Sequence, residues 1–463
     1  MRRVVFCGFR GTGKTAIGKI VAGRLGLPFL DTDTLIEQKT GRTIPGIFHE
    51  EGEERFRAVE REVVAALPDR DVVVSTGGGV VLDPANMEHL RAGSVVLVLH
   101  ADIDTIEERL KRKPRPPLTD LTLREEIAEL TDRRRQHYHA ASDFCIDTSE
   151  STPEAAAESV MRILEHGVVP QKHRAPCLKF FKTGRIPPLC LKKIEEILAD
   201  TPHDPLTRLI GVAGYPCAHS RGPALFNALF VQYNLNYHYT WFEDPELEEI
   251  MTVARHLDVK GLSVTIPFKQ DVMAYVDEVD EHAAIGIGAV NTVVFACGTA
   301  TGYNTDWIGV RKPLFDLKGA TAVLLGAGGA AAGAAFALMD LDMKLTILNR
   351  TPENAKVLAE RFGCRWGGLD ELDAVKPDLI VNATPLGMHP DDRSPLRDDQ
   401  LRPGMTVFDL VYTPPETPLI QQARRMGSRT ITGTEMFIEQ AREQFYLFFG
   451  IDVPSERIRE LVR

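Results

Sequence analysis

The sequence predicts an α/β protein of several domains, on three observations. Its 463 residues exceed what one compact core serves, at about 100 to 200 residues per domain. Gly8 to Thr15 read GFRGTGKT, after the apolar run VVFCG and before the amphipathic stretch AIGKIVAGRLG, which is the order strand, glycine loop, helix. A second strand runs through glycines into a helix in TAVLLGAGGAAAGAAFAL, which begins at Thr321. In both places backbone N–H groups at a helix N-terminus can meet phosphate. The expected architecture is a P-loop domain, a parallel sheet with helices, over residues 1–165, then a linker over 166–206. A substrate-binding domain follows over 207–308, completed by C-terminal helices over 435–463, with a Rossmann dinucleotide-binding domain over 309–434.

Composition narrows the partners. The formal charge of −11 argues against nucleic acid, which needs a basic face to release phosphate counterions. Small metabolites are expected instead. Seven cysteines, scattered and odd in number, read as reduced thiols of a cytoplasmic protein. Arg2 and Arg3 lead straight into the first strand, so no secretory leader is expected ahead of it. The uncharged stretch Gly319 to Met339 is too rich in Gly and Ala for a membrane span, and its glycines mark a strand-to-helix turn. The proline-broken, basic connector is read as a linker with one helix, LCLKKIEEILAD, and not as a nucleic-acid strip.

The first domain orders its polar residues by chemistry. In the glycine loop, Gly11, Gly13, Lys14, Thr15 and Ala16 surround the place of a β-phosphate; Lys14 reaches the transferring phosphate and Thr15 ligates Mg²⁺. In LDTDTL, Asp31 and Asp33 stand two apart on an extended stretch, hence on one face at a strand's C-terminal end. Arg57 and Glu60 lie one helical turn apart and can pair; a surface ion pair is the plainer reading. Gly77, Gly78 and Gly79 end the strand of VVVSTGGGV, so some group must approach that backbone closely. Arg115, in KRKPRPPL, suits a lid closing over phosphates. TDRRRQHY offers Arg134 and Arg135 on a helix. With these motifs in order, residues 1 to about 165 resemble shikimate kinase. The resemblance implies ATP as phosphoryl donor, Asp31 on Mg²⁺, and Asp33 on the substrate hydroxyls. It also implies Arg57 and Arg134 on the shikimate carboxylate, Gly77 to Gly79 lining the substrate, and Arg115 bridging lid and phosphates. The family's R-x-P-L-Y reads R-R-Q-H-Y here, and spacing to Tyr138 favours Arg134. Two guanidiniums on one carboxylate make chemical sense, because Arg binds carboxylate bidentately and keeps its charge.

In the second half, Gly326, Ala327, Gly328, Gly329 and Ala330 form the dinucleotide turn. The next strand ends in Asn349, Arg350 and Thr351, where an NAD site would place an acid; a cation there fits a 2′-phosphate, so NADPH is expected. GLSVTIPFK alternates Leu262, Val264 and Ile266 against Ser263 and Thr265, a strand with one apolar and one hydroxylated face. Taken singly, Lys269 reads equally as an exposed loop lysine and Asp306 as a helix cap. Together with GAVNT, NTD, GAGGA, NRT and NATPLGM, these residues make 208–463 resemble shikimate dehydrogenase. The resemblance implies Lys269 and Asp306 as the catalytic pair, with Ser220, Thr265, Asn291, Tyr412 and Gln440 on substrate and Asn382 and Met388 facing the cofactor. Burial lowers a lysine pKa and a neighbouring acid raises it; the sequence leaves that balance open. One departure stands out: the family's S-x-S reads Ser220-Arg221-Gly222, so one hydroxyl expected on the substrate carboxylate is missing, with Arg221 or a water expected to compensate. In the pentafunctional arom polypeptides a dehydroquinase barrel separates two such domains. A barrel of roughly 250 residues has no room here.

The expected function is therefore bifunctional: NADPH-dependent reduction of 3-dehydroshikimate, then ATP-dependent phosphorylation of the resulting shikimate, without direct transfer between sites. Two rivals are a metabolite-binding regulator resembling the quinate-pathway repressors and a dehydrogenase that also accepts quinate. Oligomeric state is left open.

Overall fold

A computed structural model describes residues 2–112, 117–166, 197, 204, 206–218 and 220–462. Arg115 and most of the connector, including its expected helix, lie outside the described residues. Three sheets organise the rest. The first is wholly parallel, in the order β2-β3-β1-β4-β5, from β1 (Arg3–Cys7), β2 (Phe29–Asp31), β3 (Val73–Ser75), β4 (Ser94–His100) and β5 (Phe144–Asp147). Helices cover both faces, so β1 reads as a continuous apolar run. Val4 and Phe6 enter one core, Val5 and Cys7 the other. Of these helices, α1 is Lys14–Leu25, α2 Thr32–Thr40, α3 Ile44–Ala65, α4 Pro84–Arg91, α5 Ile103–Arg112, α6 Leu123–Ala141 and α7 Pro153–His166.

The second sheet is mixed, in the order β7-β6-β8-β10-β11-β9. Its strands are β6 (Arg208–Gly214), β7 (Tyr237–Glu243), β8 (Gly261–Val264), β9 (Glu278–Val279), β10 (Thr292–Ala296) and β11 (Thr299–Tyr303). The third is wholly parallel, in the order β14-β13-β12-β15-β16-β17: β12 (Thr321–Leu325), β13 (Lys344–Leu348), β14 (Arg365–Gly367), β15 (Leu379–Asn382), β16 (Thr406–Asp409) and β17 (Arg429–Ile431). Ala322 and Leu324 pack on one side of it and Val323 and Leu325 on the other. The helix Gly433–Phe449 then returns to the second sheet, where Phe445, Phe448 and Phe449 are buried against Phe226, Phe230 and Tyr237.

Two sequence expectations shift locally. Asp31 and Asp33 do not share an extended stretch: β2 ends at Asp31, whose carboxylate accepts from the N–H groups of Asp33 and Thr34 and so starts α2. An aspartate that caps a helix ends the strand before it. Likewise the alternation through GLSVTIPFK stops with β8 at Val264; Ile266 is 68% exposed.

The first and second sheets meet in a charged, desolvated junction. Arg91 donates to the carbonyls of Ala140 and Ala141, to Asp143 and to the Tyr237 hydroxyl, and its guanidinium lies 5.1 Å from the Phe449 ring. Tyr237 in turn donates to Asp143 at 2.6 Å. Lys260, 1% exposed, donates to the carbonyls of His139 and Ser142. Burial holds its ammonium well below the usual lysine range. Gly93 N–H bonds the Asn234 carbonyl at 2.8 Å, and Arg135 pairs with Glu278. Groups buried this way are stable only while partnered; removing one member costs on the order of 3–5 kcal/mol.

A disulfide joins Cys145 and Cys297 across the same junction, 152 residues apart in sequence. The reading of all seven cysteines as reduced thiols is thereby corrected: only folding sets β5 beside the β10–β11 turn, so no spacing reveals the pair. Among the described residues, Cys7, Cys217 and Cys364 form no disulfide. Replacing Cys297 by Ser is expected to lower the unfolding free energy by roughly 2–4 kcal/mol, read as an earlier guanidinium midpoint than that of the oxidised parent. Coincident midpoints would show that the junction holds without the bridge.

Candidate active sites

The phosphate loop sits at the C-terminal end of β1. Gly8 has φ 139°, and a Cβ there would stand 2.2 Å from the Leu99 carbonyl oxygen, so no side chain fits. Gly13 caps α1, and Lys14 donates to the carbonyls of Gly8 at 2.8 Å and Phe9 at 2.9 Å. The Thr15 hydroxyl donates to Asp31 at 3.0 Å. A hydroxyl beside a carboxylate, under a ring of N–H groups, is an oxygen donor set that suits Mg²⁺ held partly by phosphate.

Next to this loop, the glycines after β3 explain themselves. A Cβ on Gly77 would stand 2.8 Å from Asp33 Oδ1, one on Gly79 2.7 Å from Arg57 Nη2, and one on Gly78 3.7 Å from Arg134 Nη1. Asp33 and Arg57 thus leave no room for a side chain at Gly77 and Gly79, while Gly78 lies in ordinary contact with the backbone of Gly8 and Arg10 and with Arg134. Arg57 pairs with Glu60 at 2.8 Å, and Glu60 is 1% exposed; the surface-pair reading is overturned. Burial raises the Glu60 pKa against the opposing pull of Arg57. On α6, Arg134 and the Tyr138 hydroxyl both donate to the Gly78 carbonyl, at 3.3 and 2.6 Å. Arg135 points the other way, to Glu278. Glu126 went unread in the sequence. It is 1% exposed, pairs with Arg10 of the phosphate loop, and accepts from the N–H groups of Leu118 and Thr119. Flanked by the capping residue Glu125, it looked like surface charge.

The second site lies beside β8. Lys269 Nζ is 2.6 Å from Asp306 Oδ2, and Asp306 Oδ1 accepts from Asn291 Nδ2 at 2.8 Å. Asp306 does not cap a helix; it opens one, with its carboxylate turned to Lys269 and Asn291. Asn291 also donates to Thr305 Oγ1, which approaches Gln440 Oε1 at 3.5 Å. Tyr412, stacked on Phe437, has its pKa raised by burial and by the nearby charge of Asp306. Gln444 was missed: it bonds Ser263 at 2.9 Å, Thr292 at 2.9 Å and the Asn291 carbonyl. The signal was present, an amide four residues after Gln440 and so on the same face of the helix. Ser220 Oγ accepts from Gly222 N–H at 3.2 Å. Arg221 donates to the carbonyl of Val462, and what borders Gly222 is the Tyr239 hydroxyl, 3.1 Å from a Cβ there.

Comparison with known proteins agrees with this chemistry. Residues 10–165 match the model described as shikimate kinase. Residues 212–293 match the shikimate dehydrogenase substrate binding domain, 310–386 shikimate / quinate 5-dehydrogenase, and 433–463 the shikimate 5′-dehydrogenase C-terminal domain. The shikimate dehydrogenase (NADP(+)) of Methanocaldococcus jannaschii is 40% identical over 275 residues, covering 55% of this chain and 96% of that relative. The chain belongs to the shikimate dehydrogenase family. It carries a shikimate kinase domain ahead of the dehydrogenase. The solved shikimate 5-dehydrogenase of Thermus thermophilus, in complex with NADP(H) and shikimate, is 32% identical with a TM-score of 0.52, covering 55% of this chain and 98% of that one. The quinate dehydrogenase of Corynebacterium glutamicum, in complex with NAD, is likewise 32% identical at a TM-score of 0.52, covering 55% and 98%.

In the dehydrogenase, the helix Gly329–Asp340 starts beneath Gly328 and Gly329, where a Cβ would meet nothing within 4 Å. That clear space at a helix N-terminus fits a pyrophosphate. Arg350 and Thr351 are exposed at the end of β13, next to Asn349, whose amide bonds the Thr351 carbonyl. Asn382 ends β15 and donates to Asp409 at 2.9 Å, while Met388 is 42% exposed. Asp409 was not anticipated. It is buried, accepts from Thr417 and the Val411 N–H as well, and burial pushes its pKa up to about 6. A carboxyl whose folded pKa exceeds its unfolded value destabilises the fold once both states are ionised. From about pH 3 to about pH 7 the wild type should therefore lose about 3 kcal/mol of stability that Asp409→Asn does not lose. Urea unfolding across that range tests it; parallel profiles would place the titration elsewhere.

Proposed function

We propose that the chain runs two consecutive reactions on one cyclic acid, with residues 1–165 as kinase, 166–206 as linker, 207–308 with 435–463 as the substrate domain of the dehydrogenase, and 309–434 as its cofactor domain. The first reduces 3-dehydroshikimate to shikimate with NADPH. What carries this is the Lys269–Asp306 pair at 2.6 Å, with the second carboxylate oxygen already taken by Asn291. Asp306 is locked, so the mobile group is the ammonium, which delivers a proton to the ketone oxygen as it gains negative charge. NADPH supplies the hydride when bound, in the cleft of Gly326 to Ala330, with Arg350 on the 2′-phosphate, Asn349 and Thr351 beside it, and Asn382 and Met388 towards the nicotinamide. Ser220, Thr265, Asn291, Tyr412 and Gln440 orient the substrate.

The second reaction phosphorylates the hydroxyl so formed. Its support is the close approach of Asp33 to Gly77 and of Arg57 to Gly79, with Arg134 bonded to the Gly78 carbonyl between them. Arg57 and Arg134 take the carboxylate, Asp33 accepts the hydrogen bond of the reacting hydroxyl, and Lys14 and Arg115 neutralise the phosphoryl oxygens. Thr15 and Asp31 hold Mg²⁺; ATP supplies the phosphoryl group. Both cosubstrates belong to the cytoplasmic pool, where this reading places the protein. No helix among the described residues is long and apolar enough to cross a membrane.

Incubating the purified chain with 3-dehydroshikimate, NADPH and ATP–Mg²⁺ is expected to yield shikimate 3-phosphate with one NADPH and one ATP consumed. Lys269→Ala should lower the dehydrogenase kcat by roughly 10²–10⁴-fold and leave phosphorylation of added shikimate intact. Asp33→Asn should do the reverse. Full activity in either variant refutes the corresponding assignment; oxidation of quinate at a comparable kcat/KM would broaden the substrate to both acids, and binding without turnover would make the chain a regulator.

A further inference from the structure

The kinase helix α6 does two things at its two faces. Arg134 and Tyr138 meet the Gly78 carbonyl at the acid site, and the last carbonyls of the helix face the dehydrogenase. A helix end leaves its final carbonyls without intrahelical partners. Here those of Ala140 and Ala141 are met by Arg91 of the kinase itself, and those of His139 and Ser142 by Lys260 of the dehydrogenase. The hydroxyl of Ser142 is a third acceptor for Lys260 at 3.3 Å.

Lys260 is not a side chain that can drift. It is 1% exposed, its N–H bonds the Leu209 carbonyl at 2.8 Å, and its own carbonyl accepts from Phe295 at 2.9 Å, so its backbone is held between β6 and β10. The chain runs directly from it into β8. Arg135, next to Arg134, is tied to Glu278 of the same half. The C-terminal turn of the helix that positions Arg134 is therefore fixed partly by the kinase's own Arg91 and Ser142 and partly by Lys260 and Glu278, which the kinase does not own.

We propose that Lys260, a residue of the dehydrogenase, is a positioning residue for the kinase: by holding the carbonyl end of α6 it sets Arg134 and Tyr138 against Gly78 and so tunes the affinity of the kinase for its acid substrate. The proposal rests on the reading of Arg134 as a carboxylate ligand. It concerns the acid before the nucleotide, because the ion pair of α6 with Arg10 of the phosphate loop is made from Glu126 in the first turn of the helix, at the far end from His139 and Ser142.

The test uses the full chain. Lys260→Met keeps the apolar stem and removes the three donors; Lys260→Gln keeps a shorter donor and serves where the first variant does not fold. Kinase KM for shikimate is expected to rise roughly tenfold in the Met variant and by less in the Gln variant. KM for ATP and the dehydrogenase KM for shikimate should stay within about twofold, a split that a general loss of fold would not produce. Arg134→Ala is measured in parallel. If it raises KM for shikimate while the Lys260 variants do not, or if they raise both kinase KM values alike, the proposal is overturned and the site assignment stands. If Arg134→Ala changes nothing, the assignment of the acid site fails first.

Discussion

Burying cations against helix-end carbonyls is the constraint from which the arrangement of the two enzymes follows. An ammonium or guanidinium taken out of water is tolerated only where donors and acceptors are matched. For Lys260 the acceptors lie on α6 of the kinase, and for Arg91 part of the shell, Tyr237 and Phe449, lies on the dehydrogenase. Neither half satisfies its own charges alone. The junction consequently behaves as an interior and not as a rim contact, and the Cys145–Cys297 bridge lies along the same seam.

The same logic, at smaller scale, separates structural from chemical groups. Lys260 and Lys269 lie nine positions apart on one strand and its following loop. The first is pinned by carbonyls and is 1% exposed; the second has one carboxylate partner and an 18% exposed side chain. A buried lysine whose donors all meet carbonyls has no access to a substrate, while one paired to a locked Asp306 and partly exposed has a direction. Glu60 follows the rule in the kinase: its burial makes it a holder of Arg57 and leaves Asp33 as the acid nearest the glycines.

Much of this is legible in the chain alone, and for a consistent reason. GFRGTGKT, the run Gly77 to Gly79 and GAGGA were legible because their chemistry is local: a backbone that must turn or be approached closely allows no side chain, and glycine records that in place. Lys269 and Asp306 became legible only as a pair within a family pattern, since each has an ordinary explanation by itself. Ile266, Asp33 and Glu60 were misread in detail, because strand ends and burial depend on what caps and covers a segment.

By itself, then, the sequence determined where the two glycine turns stand, that a cation follows the strand after the second, and which acid and base types are available, since those follow from residue chemistry at short spacing. Tertiary structure alone decided that Glu126 joins Arg10 to the residues Leu118 and Thr119, that Gln444 completes the polar chain beside Asn291, and that Cys145 meets Cys297, while it bore out the spacing to Tyr138 that favoured Arg134. Those outcomes depend on which surfaces are desolvated when distant segments close up, 152 residues apart for the disulfide, and no local spacing encodes that.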